Sequence, residues 1–156
     1  MTIEPVNRRG FLTRMAAFGL TTALGTTLVS HLAHAEWNKA AFDGKSSADA
    51  FKALGVTGAA ESGDVQILAS DIAENGAVVP VQAISKIPDT TQISILVEKN
   101  PSTLAALFEI GPDVLPDVTT RIKMGQTSNV TVLVKAGGKY FTATKEIKVT
   151  LGGCGG

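Results

Sequence analysis

Short apolar runs that alternate with polar residues fill the chain from Asp64 onward. In QISILVEKN (92–100), NVTVLVKA (129–136) and KYFTATKEIKVTL (139–151), apolar residues recur at every second position. A period of two is typical of strands that bury one face. The pattern therefore predicts a β-rich domain over residues 64–151.

Four weaker runs complete the series. TLAALFEI (103–110) is compatible with helix or strand, and its position between two strands favours a strand. Pro80 lies inside one run and predicts an edge strand or a bulge. Asn75-Gly76 and Gly137-Gly138 are turn dipeptides. Strand runs that recur roughly every ten residues predict an all-β fold, a single antiparallel immunoglobulin-like β-sandwich. The other runs are VQILAS (65–70), AVVPVQAIS (77–85) and VTTRIKM (118–124).

Residues 36–63 have a different texture and predict an N-terminal helix and loop. SSADAFKALG begins with serines that suit a helix N-cap, has apolar residues at helical spacing, and stops at Gly55. We expect a short helix at 47–54 and a loop at 58–63.

The first 35 residues have the composition of an export signal. NRRGFL (7–12) precedes a short apolar stretch, and Ala33-His34-Ala35 forms an A-x-A cleavage pattern. The paired arginines favour the twin-arginine route over a general secretory signal. The apolar stretch is too short and too polar for a stable span, which disfavours an uncleaved anchor. We expect a periplasmic protein that is free of the membrane after cleavage.

Charge argues against one large class of partners. The chain has 14 Lys and Arg residues and 14 Asp and Glu residues. No basic stripe of the kind that binds nucleic acid is present in the sequence.

The composition also disfavours catalysis by this chain alone. Both histidines, His31 and His34, lie in the predicted signal. The exported domain therefore lacks the base of Ser-His-Asp and Cys-His arrangements. One cysteine cannot fill a zinc or haem ligand set, and GPDVLPD (111–117) suits a turn better than an acid/base pair. We expect no catalytic residue, no metal site and no cofactor.

One feature remains, the ending LGGCGG (151–156), which contains the only cysteine. Thiols of exported proteins usually pair, and this one has no partner in its own chain. Glycine tolerates unusual backbone angles and adds no bulk, so we predict a flexible carrier tail over 152–156. The thiol has an ordinary pKa near ~8.5 unless its surroundings lower it. The predicted site is Cys154 with its flanking residues Gly152, Gly153, Gly155 and Gly156.

Three interpretations of this thiol stay open at the level of composition. The cysteine can carry cargo between active sites, it can form an inter-chain disulfide in a structural or interaction sandwich, or it can be incidental. A further alternative is a Gly-Gly carrier that activates its terminal carboxylate as a thiocarboxylate, which the export signal and the cysteine both disfavour.

The chain resembles the SoxY family, the sulfur-carrier subunits of the periplasmic Sox thiosulfate-oxidation system. The resemblance rests on the twin-arginine signal, IAENGAVVPV (72–81), VEKNP (97–101) and KEIKVTLGGCGG (145–156). It implies that Cys154 holds sulfur intermediates covalently. It also implies three partners: a SoxZ-like small β-sandwich subunit in a heterodimer, a haem c enzyme that attaches thiosulfate, and a manganese-containing hydrolase that releases sulfate.

Overall fold

The structure, a computed structural model, describes residues 38–150. The predicted signal (1–35) and the predicted tail (152–156) lie outside the described residues, and both stay predictions. Two short helices open the described chain, α1 at Lys39–Asp43 and α2 at Ser47–Ala53. Neither is long and apolar enough to cross a membrane.

Each helix begins at a side chain that caps it. The Asn38 Oδ1 accepts the Ala41 N–H at 3.1 Å, and the Ser46 Oγ accepts the Asp49 N–H at 3.1 Å. Such caps satisfy amide groups that have no partner within the helix. The helix predicted at 47–54 is confirmed as α2.

Within residues 38–150 the chain then forms nine strands. They are β1 Ala59–Glu61, β2 Val65–Leu68, β3 Ile72–Ala73, β4 Val79–Ser85, β5 Thr90–Val97, β6 Leu104–Glu109, β7 Asp117–Ile122, β8 Ser128–Ala136 and β9 Lys139–Val149.

The strands form two sheets packed face to face. The larger sheet has the order β1-β9-β8-β5-β6, with β3 also paired to β9, and the smaller sheet has the order β2-β4-β7. The predicted all-β, immunoglobulin-like sandwich is confirmed, and so is the strand at TLAALFEI, which is β6. Most pairs are antiparallel, but β1 and β3 both run parallel to β9.

Two local expectations need correction. The loop expected at 58–63 contains β1, which pairs in parallel with Tyr140–Thr142 of β9. Pro80 does not mark an edge strand, because β4 is the central strand of its sheet. The proline is tolerated because β2 pairs only with residues 82–85, so β7 is the one strand that pairs with β4 at Pro80.

Alternation along the strands builds the main core. In β5, Ile93, Ile95 and Val97 point between the sheets and are fully buried. Each methylene removed from water there contributes about 0.8 kcal/mol. The same inner face of the sandwich contains Val65, Val79, Val81, Ala83, Ile122, Met124, Val130, Val132, Val134 and Ile147.

The opposite face of the larger sheet is covered by the two helices. Leu96, Leu104 and Leu133 pack there against Ala41 of α1 and Ala50 of α2. This second core explains how a sheet can bury both of its faces within one small domain.

Ser94 is one of two buried hydroxyl residues of the described chain, the other being Thr103, that lack a hydrogen-bond partner. Ser94 lies in β5 opposite Leu107 and Leu133, is fully buried, and its Oγ makes no hydrogen bond among the described residues. A buried unsatisfied hydroxyl costs about 1–3 kcal/mol. We therefore expect Ser94→Ala to raise the free energy of unfolding by about 1 kcal/mol, measured by urea denaturation.

Ser85 provides the matched control for this substitution. It is also buried, but its Oγ lies 2.8 Å from the Thr90 Oγ1 and accepts the Ile87 N–H at 3.2 Å. Ser85→Ala should therefore lower stability by about 1–2 kcal/mol. If Ser94→Ala destabilised the fold as much as Ser85→Ala, the assignment of an unpaired hydroxyl would be wrong.

Candidate functional site

The described part of the chain ends at Thr150, four residues before the predicted attachment site. Cys154 and its flanking glycines lie outside the described residues. The described site is therefore the anchor, the place where β9 ends and the segment with Cys154 begins. Two segments hold the last residues of β9 there.

The first segment is residues 68–78, which run from the last residue of β2 to the residue before β4 and which we call the strap. Its short strand β3 runs parallel to the end of β9, with Ile72 opposite Lys148 and Ala73 opposite Val149. The Lys148 N–H donates to the Asp71 carbonyl at 2.9 Å, and the Thr150 N–H donates to the Ala73 carbonyl at 3.1 Å. Backbone pairing thus continues as far as Thr150.

The second segment, residues 124–127, holds the same strand end. The Val149 N–H donates to the Thr127 Oγ1 at 3.0 Å. The Met124 N–H donates to the Gly76 carbonyl at 2.7 Å and so ties this segment to the strap. The end of β9 is therefore fixed by three hydrogen bonds, at Lys148, Val149 and Thr150, from two separate parts of the chain.

Gly76 is required for this arrangement. A Cβ at this position would lie 2.3 Å from the Met124 carbonyl oxygen and 2.8 Å from Val149 Cγ1. The predicted turn is present, since the Ala77 N–H donates to the Asn75 Oδ1 at 2.9 Å. However, the need for glycine comes from close packing and not from a positive φ, which Gly76 does not have.

An ion pair fastens the strap from the side. The Lys145 Nζ lies 2.9 Å from the Asp71 Oδ1 and donates to the Ala69 carbonyl at 2.5 Å. The hydrogen bond from Lys145 and then its charge lower the pKa of the Asp71 carboxyl, with a smaller contribution from Lys148, while desolvation opposes them. Because the pKa of Asp71 is lowered, the ion pair contributes its full stabilisation above the ordinary pKa of a carboxyl group. This stabilisation is lost as the pH falls through the lowered pKa of Asp71. Because Asp71 is exposed, the contribution is small.

A third loop meets the anchor from β5. The Asn100 Nδ2 donates to the Lys123 carbonyl at 2.7 Å, and the Lys99 N–H donates to the Ser128 Oγ at 3.0 Å. The stretches 72–81 and 97–101 and the described part of 145–156 therefore meet at one end of the sandwich. These are the stretches on which the resemblance to the SoxY family rests.

The strap is the part of this site that the sequence interpretation missed. β3 has only two residues, which is too short for a period of two to be visible. The sequence contained only one sign of the strap, the Asn75-Gly76 turn dipeptide. Nothing in the hydrophobic pattern indicated that this segment pairs in parallel with the last strand.

The described residues form a scaffold, and no catalytic or metal site was found among them. Among residues 38–150, no three His, Cys, Asp or Glu side chains lie close enough together to hold a metal ion. Asp117, which was expected in a turn, is instead the first residue of β7, and it accepts hydrogen bonds from the Gln82 Nε2 at 2.8 and 3.0 Å. The arrangement can hold one strand end firmly and present the segment that continues from it.

Comparison with known families identifies this arrangement. Fold and anchor together define an immunoglobulin-like β-sandwich whose last strand, β9, is held at its end by two separate segments of the chain. The model of the family "Sulfur oxidation protein SoxY" matches residues 51–154, which include both the anchor and the cysteine. The chain belongs to the SoxY family.

Solved structures agree with this assignment. The sulfur carrier protein SoxY from Chlorobium limicola f thiosulfatophilum is 42% identical, with a TM-score of 0.59, over 67% of this chain and 96% of that one. Family membership makes the chain a sulfur-oxidation carrier protein and implies a SoxZ partner.

A more distant likeness concerns the fold alone. A variant of the superoxide reductase (neelaredoxin) from Ignicoccus hospitalis is 18% identical with a TM-score of 0.51, over 58% of this chain and 83% of that one. At that identity the two chains share a sandwich architecture and nothing further is carried over. No curated protein matched the chain.

Proposed function

We propose that this protein carries the sulfur intermediates of thiosulfate oxidation as covalent adducts on the Cys154 sulfur. The observation that carries the proposal is the anchor, which fixes β9 on two sides as far as Thr150, four residues before the only cysteine of the chain. A carrier needs a rigid body that partner enzymes can bind and a reactive group beyond that body. The anchor, which ends at Thr150, is the part of the chain that suits the role of the rigid body.

The proposed loading step is an oxidation. The Cys154 thiol loses its proton, and its sulfur bonds to the outer sulfur of thiosulfate, giving Cys-S-S-SO₃⁻. The reaction releases one proton and two electrons, which a haem c enzyme accepts. The carrier supplies the nucleophilic sulfur, while the oxidant belongs to the partner enzyme.

The proposed second step is a hydrolysis. Water attacks the terminal sulfonate group, and the bond between that sulfur and the sulfane sulfur breaks. Sulfate and two protons leave, and a persulfide, Cys-S-S⁻, stays on the carrier. A manganese-containing hydrolase supplies this step. The persulfide belongs to the reversible adducts of cysteine, which suits a carrier that must be reset.

Activation of the thiol fits an enzyme pocket better than the carrier itself. A cysteine with its ordinary pKa near ~8.5 is only slightly ionised at neutral pH, and a nearby cation would lower that pKa. At the anchor, Lys145 is already paired with Asp71. A partner enzyme that encloses the sulfur can provide a positive charge close to it.

The four flanking glycines suit such an enclosure. With no side chains, Gly152, Gly153, Gly155 and Gly156 add little width on either side of the sulfur. Three residues separate Thr150 from Cys154, so an extended chain places the Cys154 Cα about 14 Å beyond the anchor at most, with the sulfur one side chain farther. The proposal includes a periplasmic location after export by the twin-arginine route, and a heterodimer with a SoxZ-like subunit.

Mass spectrometry tests the assignment of the attachment atom. The exported chain, incubated with thiosulfate, the haem c enzyme and an oxidised cytochrome acceptor, should gain the mass of one S₂O₃ unit. Fragmentation should place that gain on Cys154, and dithiothreitol should remove it because the adduct is held by a sulfur–sulfur bond.

Three outcomes of this experiment contradict the proposal. They are a gain on the terminal carboxylate, as in a thiocarboxylate carrier, a protein that stays an obligatory disulfide dimer throughout turnover, and no gain at all with an enzyme shown to be active on another carrier. A sample without the enzyme is the control and should gain no mass.

A further inference from the structure

Exposed apolar side chains concentrate on the strap. Among residues 38–150, five large apolar side chains are exposed, and three of them lie within eleven residues: Leu68 at 51%, Ile72 at 54% and Val78 at 48%. Single exposed apolar residues are ordinary, whereas apolar side chains that gather into a patch mark interaction surfaces, and three in one short segment make the strap the candidate for such a patch.

The strap lies beside the end of β9, where the segment with Cys154 begins. Ile72 pairs with Lys148, and its neighbour Ala73 accepts the Thr150 N–H. Leu68 and Val78 bound the same segment, whose Gly76 packs against Val149. The exposed apolar side chains therefore belong to the segment that touches the last residues of β9.

Chain length brings a partner enzyme to this surface. Cys154 lies four residues beyond Thr150, so its Cα cannot lie more than about 14 Å from the anchor, with the sulfur one side chain farther. An enzyme that encloses the sulfur in an active site must bring its own surface within that distance. The strap contacts Lys148, Val149 and Thr150, so it lies next to the place that the enzyme must approach.

The strap is also preorganised for binding. The Ser70 Oγ donates to the Ile72 carbonyl at 2.7 Å, and Lys145 bridges the Ala69 carbonyl and Asp71. A segment whose polar groups are already paired loses little conformational freedom when it is bound. Asp71 and Lys148 are exposed beside the apolar side chains, which matches the apolar centre and polar rim of protein interfaces.

We propose that Leu68, Ile72 and Val78 form the docking surface for the enzyme that attaches thiosulfate to Cys154. The complementary surface is an apolar rim around the mouth of that enzyme's active-site channel. This inference rests on the proposed function and adds the residues that the enzyme recognises. The enzyme contacts the strap before and during transfer, so the strap contributes binding and takes no part in the chemistry.

A triple variant tests the surface. Leu68→Ser, Ile72→Ser and Val78→Ser together should lower the rate of thiosulfate attachment about tenfold or more at carrier concentrations below saturation. The loss should come from a raised KM for the carrier, with kcat nearly unchanged. The rate of Cys154 with Ellman's reagent, a small thiol probe that needs no docking, should stay the same.

The chain provides a matched control at the other end of the sandwich. Val114 and Leu115 are the two remaining exposed apolar residues of the described chain, at 58% and 83%. They precede β7, which begins at Asp117 and ends at Ile122. Ile122 pairs with Val79, the residue that follows the strap, so Val114 and Leu115 lie at the end of β7 away from the strap. Val114→Ser with Leu115→Ser changes the same kind of side chain and should leave attachment at the wild-type rate.

Several results would overturn the docking proposal while leaving the carrier function intact. They are an unchanged rate in the triple variant, an equal loss in the control variant, or loss of the SoxZ subunit or of self-association in the triple variant, which would make the strap a subunit interface. If the triple variant melts at a clearly lower temperature, Ile72→Ser alone is decisive, with an expected loss of about threefold. Failure of the wild-type chain to gain any adduct on Cys154 would contradict the proposed function itself.

Discussion

Replacing Cys154 with serine should abolish thiosulfate-dependent electron transfer in the reconstituted system. A serine hydroxyl cannot form the sulfur–sulfur bond on which loading depends, and its pKa is far above that of a thiol. The cores of the described sandwich are built within residues 38–150, so the melting temperature should not change. Reduction of the cytochrome acceptor, monitored by absorbance, should fall to the rate measured without any carrier.

The control for this variant moves the thiol to another place. Cys154→Ser combined with Leu115→Cys restores one cysteine at a position that is 83% exposed and lies beyond the far end of β7. That thiol should react with Ellman's reagent yet support no electron transfer, because an enzyme docked at the anchor cannot reach it. Turnover by either variant would show that carrier activity does not depend on a thiol located beyond β9.

Gly76→Ala should destabilise the fold more than any other exchange of glycine for alanine in the described chain. The new Cβ would lie 2.3 Å from the backbone oxygen of Met124. A backbone oxygen cannot move away by a change of rotamer, as the end of a side chain can. Overpacking of this kind costs about 1–3 kcal/mol, and the upper end is expected here. Urea denaturation measures the loss, and hydrogen exchange should show faster exchange at the Lys148 and Thr150 amides.

Gly125 is the matched control for this substitution. It lies in the same end of the sandwich, has no positive φ, and a Cβ there would meet nothing within 4 Å. Gly125→Ala should leave stability unchanged or raise it by about 0.4–1 kcal/mol, because alanine restricts the unfolded chain. Equal stability of the Gly76→Ala and Gly125→Ala variants would contradict the close packing of the strap against Met124.

The fold could be predicted from the sequence wherever a strand is long enough to repeat its pattern. β5, β8 and β9 have eight, nine and eleven residues, and their alternation is clear in the sequence alone. β1 and β3 have three and two residues, and all of β1 is exposed. Neither strand is therefore long enough to show an alternation of apolar and polar residues in the sequence. Their parallel pairing to β9 joins residues far apart in the chain, which a local pattern cannot indicate.

The candidate site divides in the same way. Cys154 stands out by composition, since it is the only thiol and glycines surround it. The strap does not stand out, because its importance comes from contacts with Lys148, Val149 and Thr150 that exist only after folding. Likewise, Asn75-Gly76 signalled a turn, while the close approach of Met124 that requires the glycine depended on tertiary packing.

The parallel pairing of β3 with β9 also determines how the domain bears mechanical load. Under the proposed function, an enzyme that holds Cys154 exerts a pull on Thr150, and any component of that pull along the axis of β9 acts on the pairings of this strand. The hydrogen bonds to β3 on one side and to β8 on the other lie across that axis. They are strained together, in shear, and do not open one after another as in the unzipping of a hairpin. A pull along β9 therefore meets the combined resistance of these hydrogen bonds, which protects the last strand from peeling away.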